Sequence, residues 1–183
     1  MKKLFYFIII LIFGACSVTT EEDTTATSST TSSTTLPDYE TTTLSGKISG
    51  TAWTFYKGHV QVPESSSGYY WYRWTSDNIS DACSSTYTGT SSNPYILDSS
   101  DDAPAVGEEE LCWGSGCAKT NTVTFYDGSN IIIYTGKIKI DTVTTTEVTG
   151  KMYAKGRDSD NEINGTFTLS RCCLSSGSYS LCE

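Results

Sequence analysis

Short β-type segments alternate with turns from Leu44 to the end of the chain, and this rhythm limits the fold most strongly. Between residues 136 and 143, for example, Ile138 and Ile140 alternate with charged side chains, which predicts a strand with one buried face. No segment has an apolar period near 3.6 residues over three turns, so helix should be scarce. We therefore predict an all-β domain over residues 44–183, an antiparallel sandwich or barrel of about 8–9 strands.

One hairpin is especially well marked. Residues 122–126 and 131–134 are strand-forming and flank Asp127-Gly128, a pair that is favoured in tight hairpin turns. Alternation also predicts two inward-facing sets in the last strands: Val148, Met152 and Ala154, then Ile163, Phe167 and Leu169.

The first 15 residues have the three regions of an export signal. Lys2 and Lys3 precede an apolar run of ten residues, 4–13, which ends in the small pair Gly14-Ala15. This run is too short to span a bilayer, which needs about 20 apolar residues. We expect residues 1–15 to be a signal peptide.

Cys16 directly follows the small pair, and the segment resembles the lipobox of bacterial lipoproteins, with Phe13 in place of the usual aliphatic residue. The resemblance implies cleavage before Cys16 and acylation of that residue, palmitate included, so that the lipid bilayer is a partner. By the family's sorting rule, Ser17 rather than Asp favours the outer membrane, on its periplasmic or its surface face. The alternative is an ordinary signal peptide that is cut near Ala15.

The segment after Cys16 is dominated by hydroxyl side chains. Between Ser17 and Thr43, 17 of 27 residues are Ser or Thr. Such a segment buries too little apolar surface to offset its ordering entropy. We predict a disordered linker over residues 16–43 that spaces the domain from the membrane; the alternative is a mucin-like stalk with O-linked sugars.

The net charge of -9 limits the partners. An acidic surface repels phosphate backbones, so we expect no nucleic acid partner. It also argues against membrane binding through a basic patch, which leaves the acyl chains as the anchor.

Six cysteines remain in the β-region, an even number in a chain with an export signal: Cys83, Cys112, Cys117, Cys172, Cys173 and Cys182. This pattern predicts three disulfides. Cys112 and Cys117 are close enough to close a local loop. Neighbours in a strand point to opposite faces, so Cys172 and Cys173 should have different partners. We expect one of them to pair with Cys182 and the other with Cys83, although fifteen connectivities are possible.

The aromatic run at residues 69–74 is the main candidate for ligand binding. In a strand, one face would carry Tyr69, Trp71 and Arg73 and the other Tyr70, Tyr72 and Trp74. Aromatic rings stack on the apolar faces of sugars and on cations, and they are enriched in protein interfaces. One face can be core and the other an exposed platform; the alternative is that both serve the core.

Candidate catalytic and metal-binding residues are few. His59 is the only histidine, and no nucleophile motif accompanies it, so we expect it to be structural or on the surface. Asp158, Asp160 and Glu162 alternate as in a calcium loop, but the glycine and glutamate that an EF-hand requires are absent. A second acidic group spans residues 98–110, and we expect both groups to be solvated. We predict no catalytic residue, no metal and no cofactor.

These patterns predict a non-enzymatic binding or envelope-interaction module on a lipid anchor, with a glycan or an envelope protein as its partner. The first alternative is a carbohydrate-binding module that uses the aromatic strand. The second is an envelope hydrolase with paired carboxylates, which act across a cleft.

Overall fold

The computed structural model describes residues 35–83, 92–175 and 177–183. The signal peptide, Cys16 and most of the predicted linker lie outside these residues. The described chain forms twelve strands: β1 Ser45–Ile48, β2 Thr51–Thr54, β3 Lys57–Val62, β4 Tyr70–Thr75, β5 Tyr95–Ser100, β6 Gly107–Cys112, β7 Thr124–Tyr126, β8 Asn130–Ile132, β9 Thr135–Val143, β10 Glu147–Lys155, β11 Glu162–Ser175 and β12 Ser178–Leu181.

The strands form one mixed sheet that curls into a half-barrel. Nine strands follow one another in the order β6-β9-β10-β11-β3-β4-β5-β7-β8, while β1 and β12 pair with β11 and β2 pairs with β1. The predicted all-β class is confirmed. The pairs are antiparallel except β3 with β11, where His59 lies opposite Ser170 in parallel register. Many pairs join sequence neighbours, such as β3 with β4 and β9 with β10, whereas β3 with β11, β1 with β11 and β6 with β9 join strands that are farther apart in the chain.

Hydrogen bonds bring the two ends of the curled sheet together. Tyr134, which connects β8 to β9, donates its N–H to Lys155 O at 3.1 Å and accepts from Trp113 N at 3.3 Å. The predicted hairpin is formed by β7 and β8, with Phe125 opposite Ile131. This hairpin is at the end of the strand order, and the hydrogen bonds of Tyr134 hold it next to β6 and β10 near the start of the order. One hydrophobic core fills the interior of the curled sheet.

Alternation along the strands places one face inside the curl. All six residues of the two predicted inward-facing sets are at most 4% exposed. Trp74 lies at the centre: it is fully buried and packs edge-on against Phe167, with ring centroids 5.5 Å apart. Burying a large apolar side chain contributes about 1.5–3 kcal/mol, so this continuous inner face is the main source of stability.

Three disulfides brace the sheet, as predicted. They join Cys83 to Cys172, Cys112 to Cys117, and Cys173 to Cys182. Cys172 is fully buried, and Cys173 pairs with the last strand's extension, so the two neighbours do have different partners.

The folded unit extends from Thr35, nine residues upstream of the boundary at Leu44 that the change in composition predicts. The Asn164 side chain accepts from Glu40 N at 3.0 Å and donates to Asp38 O at 2.9 Å. Thr166 N donates to Thr42 O at 2.8 Å. The segment contributes only backbone groups to these three contacts, which explains why its Ser/Thr-rich composition does not reveal them. Residues 17–34 of the predicted linker lie outside the described chain.

The N-terminal segment continues across the outer face toward β9. Lys137 Nζ lies 4.6 Å from the centroid of the Tyr39 ring. Burial, together with the nearby carboxylates of Glu108 and Asp141, raises the pKa of the Tyr39 hydroxyl. The phenol therefore stays neutral, and the segment is held by backbone hydrogen bonds and one cation–π contact.

Candidate functional site

Strand β4 divides the aromatic run between the two faces of the sheet. On the inner face, Trp74 is fully buried and Tyr72 is 8% exposed, with their rings stacked 6.0 Å apart. Tyr70 is half-buried at the edge of this core. Trp74 and Tyr72 therefore cannot serve as a ligand platform, because their rings are covered by the curl of the sheet.

The outer face of the same run carries two exposed rings. Tyr69 is 57% exposed and Trp71 is 42% exposed, and their centroids lie 6.4 Å apart at an interplanar angle of 56°. The register places Trp71 between Gln61 of β3 and Ser99 of β5. We name Tyr69, Trp71, Gln61 and Ser99 the aromatic strip. It offers two ring faces with an amide and a hydroxyl on the flanking strands.

Arg73, the third predicted residue of the outer face, continues the strip toward β5 and β7. Its guanidinium lies 5.0 Å from the centroid of the Tyr95 ring, and Tyr95 packs against Tyr126 at 5.1 Å. When a guanidinium stacks on an aromatic ring, its N–H donors point sideways, parallel to the ring plane. Arg73 is thus held in place and adds positive charge next to the exposed rings.

His59 is covered on the outer face of β3 and is fully buried. Its Nδ1 lies 2.6 Å from Ala82 O, Lys57 Nζ donates to Ile79 O at 2.7 Å, and Cys83 is bonded to Cys172. These contacts hold residues 77–83 against the outer face of β3. Burial lowers the pKa of His59 to about 4, so the ring is neutral at pH 7 and its observed contacts are structural.

Asp98 lies within strand β5, although its place in the acidic segment 98–110 predicts a solvated loop carboxylate. It lies in β5 opposite Tyr72, so its side chain shares the inner face with a core aromatic residue. Burial, reinforced by Glu109 and opposed by a hydrogen bond from Ser99 N, raises its pKa to about 7. The alternation Ile96-Leu97-Asp98 is the signal in the sequence that could have revealed this inward position.

The second acidic group, at residues 158–162, makes structural contacts. Asp158 Oδ1 accepts from Asp160 N at 3.2 Å and from Asn161 Nδ2 at 2.9 Å, which shapes the turn. Glu162 accepts from Tyr153 at 3.1 Å and pairs with Lys155 at 3.0 Å. Within the described chain, no three His, Cys, Asp or Glu side chains cluster as metal ligands would.

The loop closed by Cys112 and Cys117 displays a further aromatic side chain. Trp113 is 44% exposed, nearly the same fraction as Trp71, but it stands in a glycine-rich loop rather than on the sheet. The two residues therefore differ in setting while matching in exposure, which makes Trp113 a suitable control for Trp71.

Comparison with known proteins gave no match: no family model fits the chain, and no curated protein and no solved structure matches it. In the ranges that the structure describes, no helix has the length and apolar character needed to cross a membrane.

Proposed function

We propose that the protein is an exported lipoprotein whose β-domain binds glycans through the aromatic strip. The observation that carries this proposal is the pair of exposed rings, Tyr69 and Trp71, between polar side chains of the neighbouring strands. Sugars present apolar C–H faces and a periphery of hydroxyls, and stacking combined with hydrogen bonding satisfies both. The acylated Cys16, implied by the lipobox resemblance, would hold this surface at a membrane, favoured to be the outer one.

The composition of the strip favours a glycan over a protein partner. Stable protein interfaces bury roughly 800 Å² on each partner around an apolar centre. Here the two exposed rings are bordered by Gln61, Ser99 and the Arg73 guanidinium, so the apolar part is narrow. A surface of this kind suits a narrow, hydroxyl-rich chain. An envelope protein is the partner to seek if glycans do not bind.

Binding of the full-length protein to glycans tests this proposal. The protein is purified in a detergent without a sugar headgroup and titrated with chitohexaose, maltohexaose and soluble peptidoglycan fragments, and tryptophan fluorescence is recorded. We expect a saturable change with at least one glycan and at least about tenfold weaker binding for Trp71→Ala, because an anchor ring at a contact centre contributes 2 kcal/mol or more.

Trp113→Ala is the matched control, since it removes an equally exposed indole from another part of the surface. We expect it to bind like the wild type. The proposal fails if no glycan binds, or if both tryptophan variants bind as tightly as the wild type. Far-UV circular dichroism of each variant shows that the fold is retained.

The anchor has a separate test. Cys16→Ala should shift the protein from the detergent-extractable membrane fraction to the soluble envelope fraction, because a thiol is needed for acylation. Metabolic labelling with a palmitate analogue should mark the wild type and not the variant. A variant that stays in the membrane fraction would contradict the lipoprotein proposal and leave glycan binding to be judged by its own experiment.

An envelope hydrolase is the second candidate, favoured by Asp98 and Glu109. The pKa of Asp98 is raised to about 7 by burial and, to a smaller extent, by the charge of Glu109, and a raised carboxyl that acts with a second carboxylate is the arrangement of a glycosidase. Hydrolysis of peptidoglycan that is abolished in both Asp98→Asn and Glu109→Gln would establish it. Intact substrate after long incubation with the wild type would exclude it for that substrate.

A further inference from the structure

A second groove lies on the outer face where β9, β10 and β11 pair. It has a volume of about 520 Å³ and contains no residue of β4, so it is separate from the aromatic strip. Its lining consists of Thr43, Phe55, Tyr56, Asp141, Thr149, Gly150, Thr166, Phe167 and Thr168. The volume lies in the usual range of small-molecule sites, about 300–1,000 Å³.

Four of the nine residues that line this groove are threonines: Thr43, Thr149, Thr166 and Thr168. Thr149 of β10 lies directly opposite Thr168 of β11. Thr149 Oγ1 is 2.6 Å from Thr142 Oγ1, and Thr166 Oγ1 donates to Thr42 O at 3.1 Å. Thr168 is exposed beside them. Because a hydroxyl can both donate and accept, this row matches a ligand that also carries hydroxyls.

A charged group stands at one side of the row. Asp141 pairs with Lys139 at 3.2 Å and with Lys151 at 3.8 Å, and all three side chains are 31–42% exposed. Exposed ion pairs are weak, so their atoms can be re-used in binding. Of the three, only Asp141 lines the groove, where its carboxylate offers two acceptor oxygens to ligand hydroxyls.

Tyr56 supplies an aromatic wall. Its side chain is 54% exposed, but its backbone is fixed, because Tyr56 N donates to Thr75 O at 2.8 Å and the preceding Phe55 N donates to Leu44 O at 2.8 Å. Phe55 is buried at 8% exposure. An exposed ring on a rigid backbone can stack on a ligand with little further loss of conformational entropy.

We infer that this groove is a second saccharide site, which binds a neutral sugar residue between the Tyr56 ring and the threonine row. The inference rests on the proposed function in taking the ligand to be a glycan, and it adds a separate point of contact. A lipid would leave the hydroxyls unsatisfied, and an anion would meet the Asp141 carboxylate, since neither lysine of the ion pairs lines the groove. Two weak sugar sites on one domain raise the apparent affinity for a long glycan through effective concentration.

Threonine-methyl and indole NMR of the full-length protein separates the two sites. The protein, in a detergent without a sugar headgroup, is titrated with the trisaccharides chitotriose and maltotriose. The methyl signals of Thr149 and Thr168 report on the groove, and the indole N–H of Trp71 reports on the aromatic strip. We expect one trisaccharide to shift both the threonine methyl signals and the Trp71 indole signal in a saturable way.

Two matched pairs of variants test the residues. Tyr56→Ala should weaken the groove response roughly threefold to tenfold and leave the Trp71 response unchanged, whereas Tyr69→Ala should do the reverse. Thr168→Val keeps the side-chain shape and should weaken the groove response about twofold to tenfold, as read from the Thr149 methyl. Thr54→Val, at an exposed strand position outside the groove, should have no effect.

Each result decides between the two proposals. If only the Trp71 signal shifts, the groove proposal is overturned and the aromatic strip is left as the glycan site. If only the threonine methyl signals shift, the groove proposal is supported and glycan binding by the aromatic strip is contradicted. If neither set shifts with either trisaccharide, both proposals fail, and if groove shifts persist in both Tyr56→Ala and Thr168→Val, the groove assignment is wrong.

Discussion

At the residue scale, alternation along β4 gives two tryptophans, three positions apart, opposite roles. Trp74 is fully buried against Phe167, while Trp71 is 42% exposed. Residues in a strand change face at every step, so a separation of three places them on different sides. The same residue type thus contributes stability at one position and an accessible ring at the other.

Truncation of the two tryptophans should therefore have very different effects on stability. Trp74→Ala removes a central core side chain and should lower the free energy of unfolding by about 3–5 kcal/mol. Trp71→Ala should lower it by much less, about 1 kcal/mol, since 42% of the Trp71 surface is already exposed to solvent in the folded state. Urea unfolding with the disulfides intact measures both values, and equal losses would contradict this assignment of faces.

Asp98 should make stability depend on pH. Burial raises its pKa from 3.8 to about 7, so the folded state binds a proton more tightly than the unfolded state. The protonated carboxyl therefore stabilises the folded state fully below about pH 4, and this stabilisation is lost as the pH rises to about 7. Asp98→Asn should therefore match the wild type near pH 4 and be more stable at pH 8, by at most about 4 kcal/mol.

Unfolding midpoints of the wild type and Asp98→Asn between pH 4 and pH 8 measure this dependence. Asp101→Asn is the control: it lies in the turn after β5 and is exposed, so it should change stability little at either pH. A constant difference between the wild type and Asp98→Asn over the whole range would show that the inward position of Asp98 does not raise its pKa.

At the element scale, the N-terminal segment depends on a glycine in β11. Gly165 has φ +142°, and a Cβ at this position would lie 2.6 Å from Leu44 Cα and 2.7 Å from Thr42 O. Backbone atoms cannot move away as a flexible side chain would. The close approach lets residues 42–44 pair with Thr166 and places Thr43 at the groove.

Gly165→Ala should release this segment as well as destabilise the domain, by about 1–3 kcal/mol from strain and overpacking. Hydrogen exchange read by mass spectrometry should show faster exchange in residues 38–44. Gly107→Ala, where a Cβ meets nothing within 4 Å, is the control and should leave the exchange unchanged. Unchanged protection of the segment in Gly165→Ala would contradict the close approach.

At the scale of the whole molecule, the disulfides differ in how much chain they close. Cys83 and Cys172 are 89 residues apart, compared with 9 for Cys173 and Cys182 and 5 for Cys112 and Cys117. A cross-link reduces the entropy of the unfolded chain more when its loop is longer. The first disulfide also holds residues 77–83 over His59, so it should be the main brace of the domain.

Removal of single disulfides tests this order. The double variant Cys83→Ala with Cys172→Ala should lose about 4–5 kcal/mol, and Cys112→Ala with Cys117→Ala about 2 kcal/mol, by the loop-length relation. Chemical unfolding under non-reducing conditions gives both values. If the short loop proves the more costly one to open, loop closure is not the main contribution of these bonds.

The sequence by itself determined the features that depend on local periodicity. It predicted the all-β class, the Asp-Gly hairpin, the division of β4 into two faces and the three disulfides, because strand alternation and turn preferences act over a few residues. Tertiary structure decided the features that depend on how strands distant in sequence pair with one another. The parallel contact of β3 with β11, the inward position of Asp98, the docking of residues 38–44 and the threonine groove all join residues that only the curl of the sheet brings together. Local pattern shows which way a side chain points but not which strand lies beside it.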